Sequence, residues 1–349
     1  MTTYRRRTTL GLLGAGMAFL AGCSGSSDDG NGSDDGTGDE PDDDSDEPTG
    51  DADIDGENGD LPAYASILPQ SDDQSYFYGA IDGATLDTLL NDEGAAEGNE
   101  PTDPLLGNPV IMAVLFGSFG SPDSREAYLN NDRTAADEGV LVDANGVYAV
   151  EGRYDRNGLV ADLESAGYTA ETETDAYALY SDADTGEAVG VSDEVFAVTA
   201  PNSNDDGFEP VAAVERVLET AVGDREPKHA VDADFEWLLR ASSTDGMALC
   251  RYTETDAFDP EALGNEQVSS DTLEFAFGAF EGANGVHQQL SLGDGDATAS
   301  AVVTYADEEG VDRDRLESAL GTDADSVTFE QDGSAVAVDA EYSGDLVEE

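Results

Sequence analysis

Only a few residues in this chain have the type and spacing to do chemistry, and two of them are thiols. Cys23 follows "LAG" at the end of an apolar run, and Cys250 sits in the alternating string "MALCRY". A free cysteine in such a strand is commonly a small buried hydrophobe, and the spacing predicts that for Cys250. The histidines are His229, in "REPKHAV", and His287, in "GVHQQLSL". Either could serve a serine or cysteine nucleophile as base, yet no Gly-x-Ser-x-Gly string singles out a serine, and "GSFGS" lacks the spacing. The alternation around His287 predicts an exposed or half-buried sheet position. His229 lies beside Lys228 and near Arg225, a basic cluster expected to pair with surrounding acids. Zinc would need Cys and His at short spacing, which does not occur, and no Gly-x-x-x-x-Gly-Lys loop exists for a phosphate. "LGDGDAT" brings Asp294 and Asp296 to a turn that reads as a solvated hairpin. "DADIDGENGDLP" opens like a calcium loop, but Pro62 stands where a bidentate Glu is required. No catalytic residue, metal or cofactor is expected, and the chain reads as a non-enzyme.

Cys23 belongs to a different chemistry. Arg5, Arg6 and Arg7 precede twelve uncharged residues, Leu10 to Ala21, and small residues flank the thiol. A basic start, a short apolar stretch and small residues at a cleavage point make a secretory signal. Twelve residues at 1.5 Å rise cover about 18 Å of a core of roughly 30 Å, too little to span. "RRRTTL" resembles a twin-arginine export motif carried by Arg6 and Arg7, with Thr9 and Leu10 in place of the usual apolar pair. "LAGC" resembles the lipobox of bacterial and archaeal lipoproteins, and the whole chain resembles lipoproteins exported by salt-loving archaea. That resemblance implies that Cys23 becomes the lipid-modified first residue of the mature protein, anchored on the outer face of the cell membrane.

The charge fits such an origin. The sequence holds 14 basic and 79 acidic residues for a net −65. All the acids follow Cys23, so the mature chain sets 11 basic residues against 79 acids, or −68. Lys228 is its only lysine. Hydrophobic residues make up 39% of the chain, too many for an acidic disordered protein, so the part after residue 60 is expected to fold and to depend on salt for screening. The same charge disfavours nucleic acid and anionic headgroups and attracts cations diffusely. A partner in the surface layer or envelope is the expectation.

The elements divide the chain into five stretches: a signal over 1–22, a lipid-anchored acidic linker over 23–60, a first unit over 61–205, a helical connector over 206–244 and a second unit over 245–349. The linker's 37 residues from Ser24 to Asp60 hold 16 acids and only Ala52 and Ile54 as apolar side chains, which predicts a tether spanning ~35 Å. "NGS" at Asn31 is a glycosylation sequon within it. In the folded part, "LESA" recurs at 163–166 and 316–319 on helices that end near Gly167 and Gly321, as helix C-termini prefer. Strands precede each helix and hairpins follow it, with an Asp332-Gly333 turn in the second. The expectation is an α+β fold of two similar units, each a largely antiparallel sheet with helices on one face. "SPDSREAYL" predicts a helix with Ser121 as N-cap and Pro122 at N1. Residues 209–223 and 232–242 read as helices, with Trp237 as a core anchor, whereas 110–117 and 272–280 read as buried strands. Two other function classes stay open: a solute receptor of a transporter, and an exported hydrolase using paired carboxylates.

Overall fold

The structure, a computed structural model, describes residues 58–86, 102–117, 119–135, 138–201, 208–242, 246–259, 273–293 and 296–343, with 54, 56, 263 and 267–268 besides. Arg6, Arg7, Cys23, Asn31 and Asp294 lie outside the described residues.

Alternation builds the sheet. In β1 (Ser75–Asp82), Tyr76, Tyr78 and Ala80 enter one apolar cluster while Phe77 and Ile81 enter another on the opposite face, as period-2 geometry requires. The chain continues through α1 (Pro104–Phe116), α2 (Pro122–Asn131), β2 (Val140–Ala144), β3 (Val147–Glu151), α3 (Arg156–Ala166), β4 (Thr169–Glu173), β5 (Ala178–Ser181), β6 (Ala188–Val191) and β7 (Val195–Thr199). The connector follows as α4 (Pro210–Ala221), α5 (Lys228–Val231) and α6 (Ala233–Arg240). Then come β8 (Met247–Thr253), the short pair β9 (Gln267–Val268) and β10 (Leu273–Glu274), β11 (Gly285–Leu292), β12 (Asp296–Thr304), α7 (Arg313–Ala319), β13 (Ser326–Asp332) and β14 (Ala335–Ser343).

Twelve strands form one sheet in the order β13-β14-β12-β11-β8-β1-β2-β3-β7-β6-β5-β4, antiparallel at every step. The order runs outward from the central β1–β8 pair in the same way on both sides. Each unit lays down three strands, sends a "LESA" helix (α3 or α7) over the sheet, and returns so that its last strand pairs with its third: β7 on β3, β14 on β12. The first unit makes two hairpins where the second makes one. The fold is α+β with two similar units, and their sheets are fused into one.

The units' own helices, α1, α2, α3 and α7, contribute to one cluster, the front face. The connector covers the back face: α4 and α6 join the 3-10 turn Ala63–Ile67 against Tyr76, Tyr78, Leu179 and Cys250. Close approach is needed on both sides. A Cβ on Gly79 would lie 2.2 Å from Met112 Cγ of α1, and one on Gly190 would lie 2.4 Å from Leu218 Cδ1 of α4.

Several local expectations hold. Ser121 caps α2 with Pro122 at N1, Gly167 ends α3 at φ 103°, and Gly333 turns β13 into β14 at φ 54°. Two do not. Residues 110–117 were expected as a strand and instead fall largely in α1, which is buried nearly all round. A run with no polar face shows no period, so a buried strand and a buried helix look alike. The deciding signals are Asp103, whose carboxylate accepts from Leu105 N, and Pro104 at N1. Residues 272–280 likewise yield only β10 and a 3-10 turn over Phe277–Phe280. Two residues of the expected linker touch the fold: a Cβ on Gly56 would sit 2.2 Å from the Trp237 indole, and Arg240 Nη1 donates to Gly59 O at 2.8 Å. Gly56 and Gly59 thus lie against α6, where Trp237 is half-buried.

Candidate functional site

Strand register brings three reactive side chains into one row. Tyr78 stands opposite Cys250, and Cys250 opposite His287, across β1, β8 and β11. The row lies on the back face beneath Tyr64 and Phe235, whose rings sit 5.7 and 6.3 Å from Tyr78. The imidazole is 6.0 Å from the Tyr78 ring. His287 is buried, not exposed or half-buried as the alternation suggested, because α6 covers that face. A thiol beside an imidazole could be a nucleophile and its base, provided that the pair ionises. Here burial pushes the Cys250 thiol well up and the His287 imidazole down to about 4. Both stay neutral at pH 7, so the row is core packing and not an ion pair poised to react.

A second constellation joins Ser121, Ser124, Tyr168 and Glu187, all buried. Glu187 Oε1 accepts from Ser121 N at 2.7 Å and Ser124 Oγ at 3.0 Å. Tyr168 OH donates to Glu187 Oε2 and lies 3.0 Å from Ser121 Oγ. Serine, tyrosine and carboxylate in a line resemble a proton relay. Burial, reinforced by the bond to Glu187, raises the Tyr168 hydroxyl far above its ordinary value, so it keeps its proton and cannot serve as base. The carboxylate sits at the start of α2, where negative charge is favourable. Sequence reasoning found Ser121 as the cap but missed Glu187, which lies 66 residues further on with no local signal.

The basic cluster becomes a cage. Lys228 is 4% exposed; its Nζ donates to Glu254 Oε1 at 2.6 Å and to Asp232 Oδ2 at 2.8 Å. The rings of Tyr252, Tyr76 and Phe235 surround it at 5.3, 5.9 and 5.9 Å. Asp232 Oδ1 accepts from Phe235 N at 3.1 Å and from Tyr252 OH at 3.0 Å. The neighbours expected to pair with acids do so only in part: Arg225 bonds Glu219, while His229 Nδ1 faces Ala65 O at 3.2 Å.

Two concavities lie open among the described residues, the larger, about 810 Å³, beside Asp72, Asp73 and Arg251 at one end of the β1–β8 pair. On the back face of the second unit, beyond the connector, Gln289, Ser300, Thr298, Thr328 and Asp339 line a trough of about 470 Å³ whose walls are strand residues alone. Alternation puts apolar Ala299, Ala301 and Val338 on the front and these polar groups on the back. Burial, with Glu330 nearby, raises the Asp339 carboxyl. A trough of this size suits a small ligand or a peptide segment. Among the described residues, no group of His, Cys, Asp and Glu is placed to hold a metal ion, and no helix is long and apolar enough to cross a membrane.

No family model matches the chain, and no curated protein matches it. Solved structures of TP0453 are similar over most of the chain. Crystal form I has a TM-score of 0.40 and 10% identity, covering 82% of this chain and 95% of that one. Crystal form III has a TM-score of 0.41 and 9% identity, covering 81% and 94%.

Proposed function

We propose that this chain is an exported, salt-adapted lipoprotein, held by a lipid on Cys23 at the outer face of the cell membrane, whose folded part is a non-enzymatic binding or envelope module. The observation that carries this reading is the placement of "LAGC": the apolar run stops one residue before the thiol, and an acidic tract with no basic residue follows it. A net charge of −65 supports life in high salt. Binding is favoured over catalysis because both constellations that resemble nucleophile sites are sealed in the core, where a substrate does not reach them. The trough on the second unit offers a partner a polar surface walled by strands.

Cys23→Ser in the native host tests the anchor. The variant is expected in the medium or as an unprocessed precursor, while the parent chain partitions with membranes. Equal membrane partition of both would overturn the proposal.

A further inference from the structure

The cage around Lys228 holds more than an ion pair needs. Every other cation in the chain is arginine, and arginine makes the better buried pair with two carboxylates, because its planar fork bonds them both. What lysine offers and arginine does not is an amine that can lose its proton and attack. We propose that Lys228 and Asp232 condense into an intramolecular amide, with Glu254 as proton acceptor, so that the mature protein carries a covalent cross-link where the ion pair now stands.

The atoms are arranged for that step. Nζ lies 2.8 Å from Asp232 Oδ2 and 2.6 Å from Glu254 Oε1. Asp232 Oδ1, the oxygen that would remain, accepts from Phe235 N and Tyr252 OH. Two such donors stabilise the charge that gathers on a carbonyl oxygen under attack. Glu254 takes a proton from Nζ, Nζ bonds to Cγ, and Oδ2 leaves as water with two of the three ammonium protons. The third stays on the amide nitrogen. Ammonium and carboxylate thus become amide and water, and nothing outside the chain is consumed.

The Glu254 side chain is 51% exposed against 14% for Asp232, which gives the proton and the water a way out and marks Asp232 as the buried electrophile. Burial is the largest influence on both partners and works towards the neutral amine and acid. Their mutual attraction outweighs it, so the resting state is the ion pair. Reaction then proceeds through a minor neutral pair, slowly and once per molecule. Held contact compensates, since well-oriented intramolecular partners reach effective concentrations of about 10⁵–10⁸ M. The product keeps Oδ1 as the cap of α6 and ties it to the start of α5. None of this depends on whether Cys23 carries a lipid.

The single lysine makes the test simple. Lysyl endopeptidase can cut the denatured chain only after Lys228, and only if its amine is free. The mature full-length protein, unfolded in urea, is expected to stay whole, and its peptide spanning 226–240 from another protease is expected to be lighter by one water. Glu254→Gln, checked for folding by near-UV circular dichroism, is expected to fall into two fragments. Should that variant not fold, the mass of the wild-type peptide decides alone. Cleavage of the wild-type chain at Lys228 with unmodified mass overturns the proposal, as does an adduct other than loss of water or a link to Glu254 in place of Asp232.

Discussion

Asp143 carries the sharpest stability prediction. It sits on β2 between Gly79 and Tyr148, facing the front core, where the Tyr148 and Phe116 rings are 6.2 Å apart. Its Oδ1 accepts from Gly146 N at 3.1 Å in the β2–β3 turn, and no ion pair to it occurs among the described residues. Burial pushes its carboxyl up from 3.8 to about 7, against the small downward pull of that amide. The folded protein therefore binds a proton that the unfolded chain releases near pH 4. Stability from this group is fully present below pH 3.8 and is lost as pH rises through 7. Three pH units at 1.36 kcal/mol each come to about 4 kcal/mol. Asp143→Asn keeps an acceptor for Gly146 and removes the titration. In urea unfolding at about 3 M salt, the variant should match wild type at pH 4 and exceed it at pH 8 by up to roughly 4 kcal/mol. Equal or lower stability of the variant at pH 8 would mean that the ionised carboxylate is solvated or paired in the native state, and would refute the reasoning.

His287 acts from the other side of the scale. Its folded value of about 4 lies below the usual 6.5, so its contribution is present above pH 6.5 and is lost as pH falls towards 4, by about 3 kcal/mol; His287→Leu should flatten the acid limb of the stability–pH curve, and an unchanged limb would show the imidazole to be hydrated. Dialysis from multimolar salt to about 0.1 M lengthens the screening distance from under 3 Å to roughly 10 Å, which should abolish near-UV circular dichroism through self-repulsion; full retention of the signal would remove the salt-dependence argument.

Where an element announces itself at its ends or by its period, the sequence was enough. α2 was legible from Ser121-Pro122 and α4 from its single apolar face. Both "LESA" helices could be placed by their terminal glycines, and β13–β14 by Asp332-Gly333. α1 was not, because Leu105, Leu106, Val110, Ile111, Met112 and Phe116 leave no exposed face to set a period. The site residues were harder still. Cys250 could be read as buried from its own neighbours, but the burial of His287 depends on α6, which arrives from the connector. Glu187 and Glu254 are ordinary acids among 79, and only the tertiary fold sets one at the start of α2 and the other against Lys228.

The fused sheet bears on what kind of binding the molecule can do. A receptor that closes two lobes on a solute needs a hinge between them. Here the two units share seven paired positions along β1 and β8, and α1, which belongs to the first unit in sequence, packs chiefly on β8 and β11 of the second. Asp103 fixes that crossing. Fully buried, it caps α1 through Leu105 N and also accepts from Gly321 N at 3.2 Å and Tyr342 OH at 2.9 Å. Asn108, one turn further on, donates to Gln288 of β11 and accepts from Ala276 N. Opening the units would break a ladder at the middle of the sheet and strand these buried polar groups without partners, each at a cost of about 1–3 kcal/mol. The two units are thus held as one fixed surface, so the binding proposed above would rest on complementarity already in place and not on closure around a ligand.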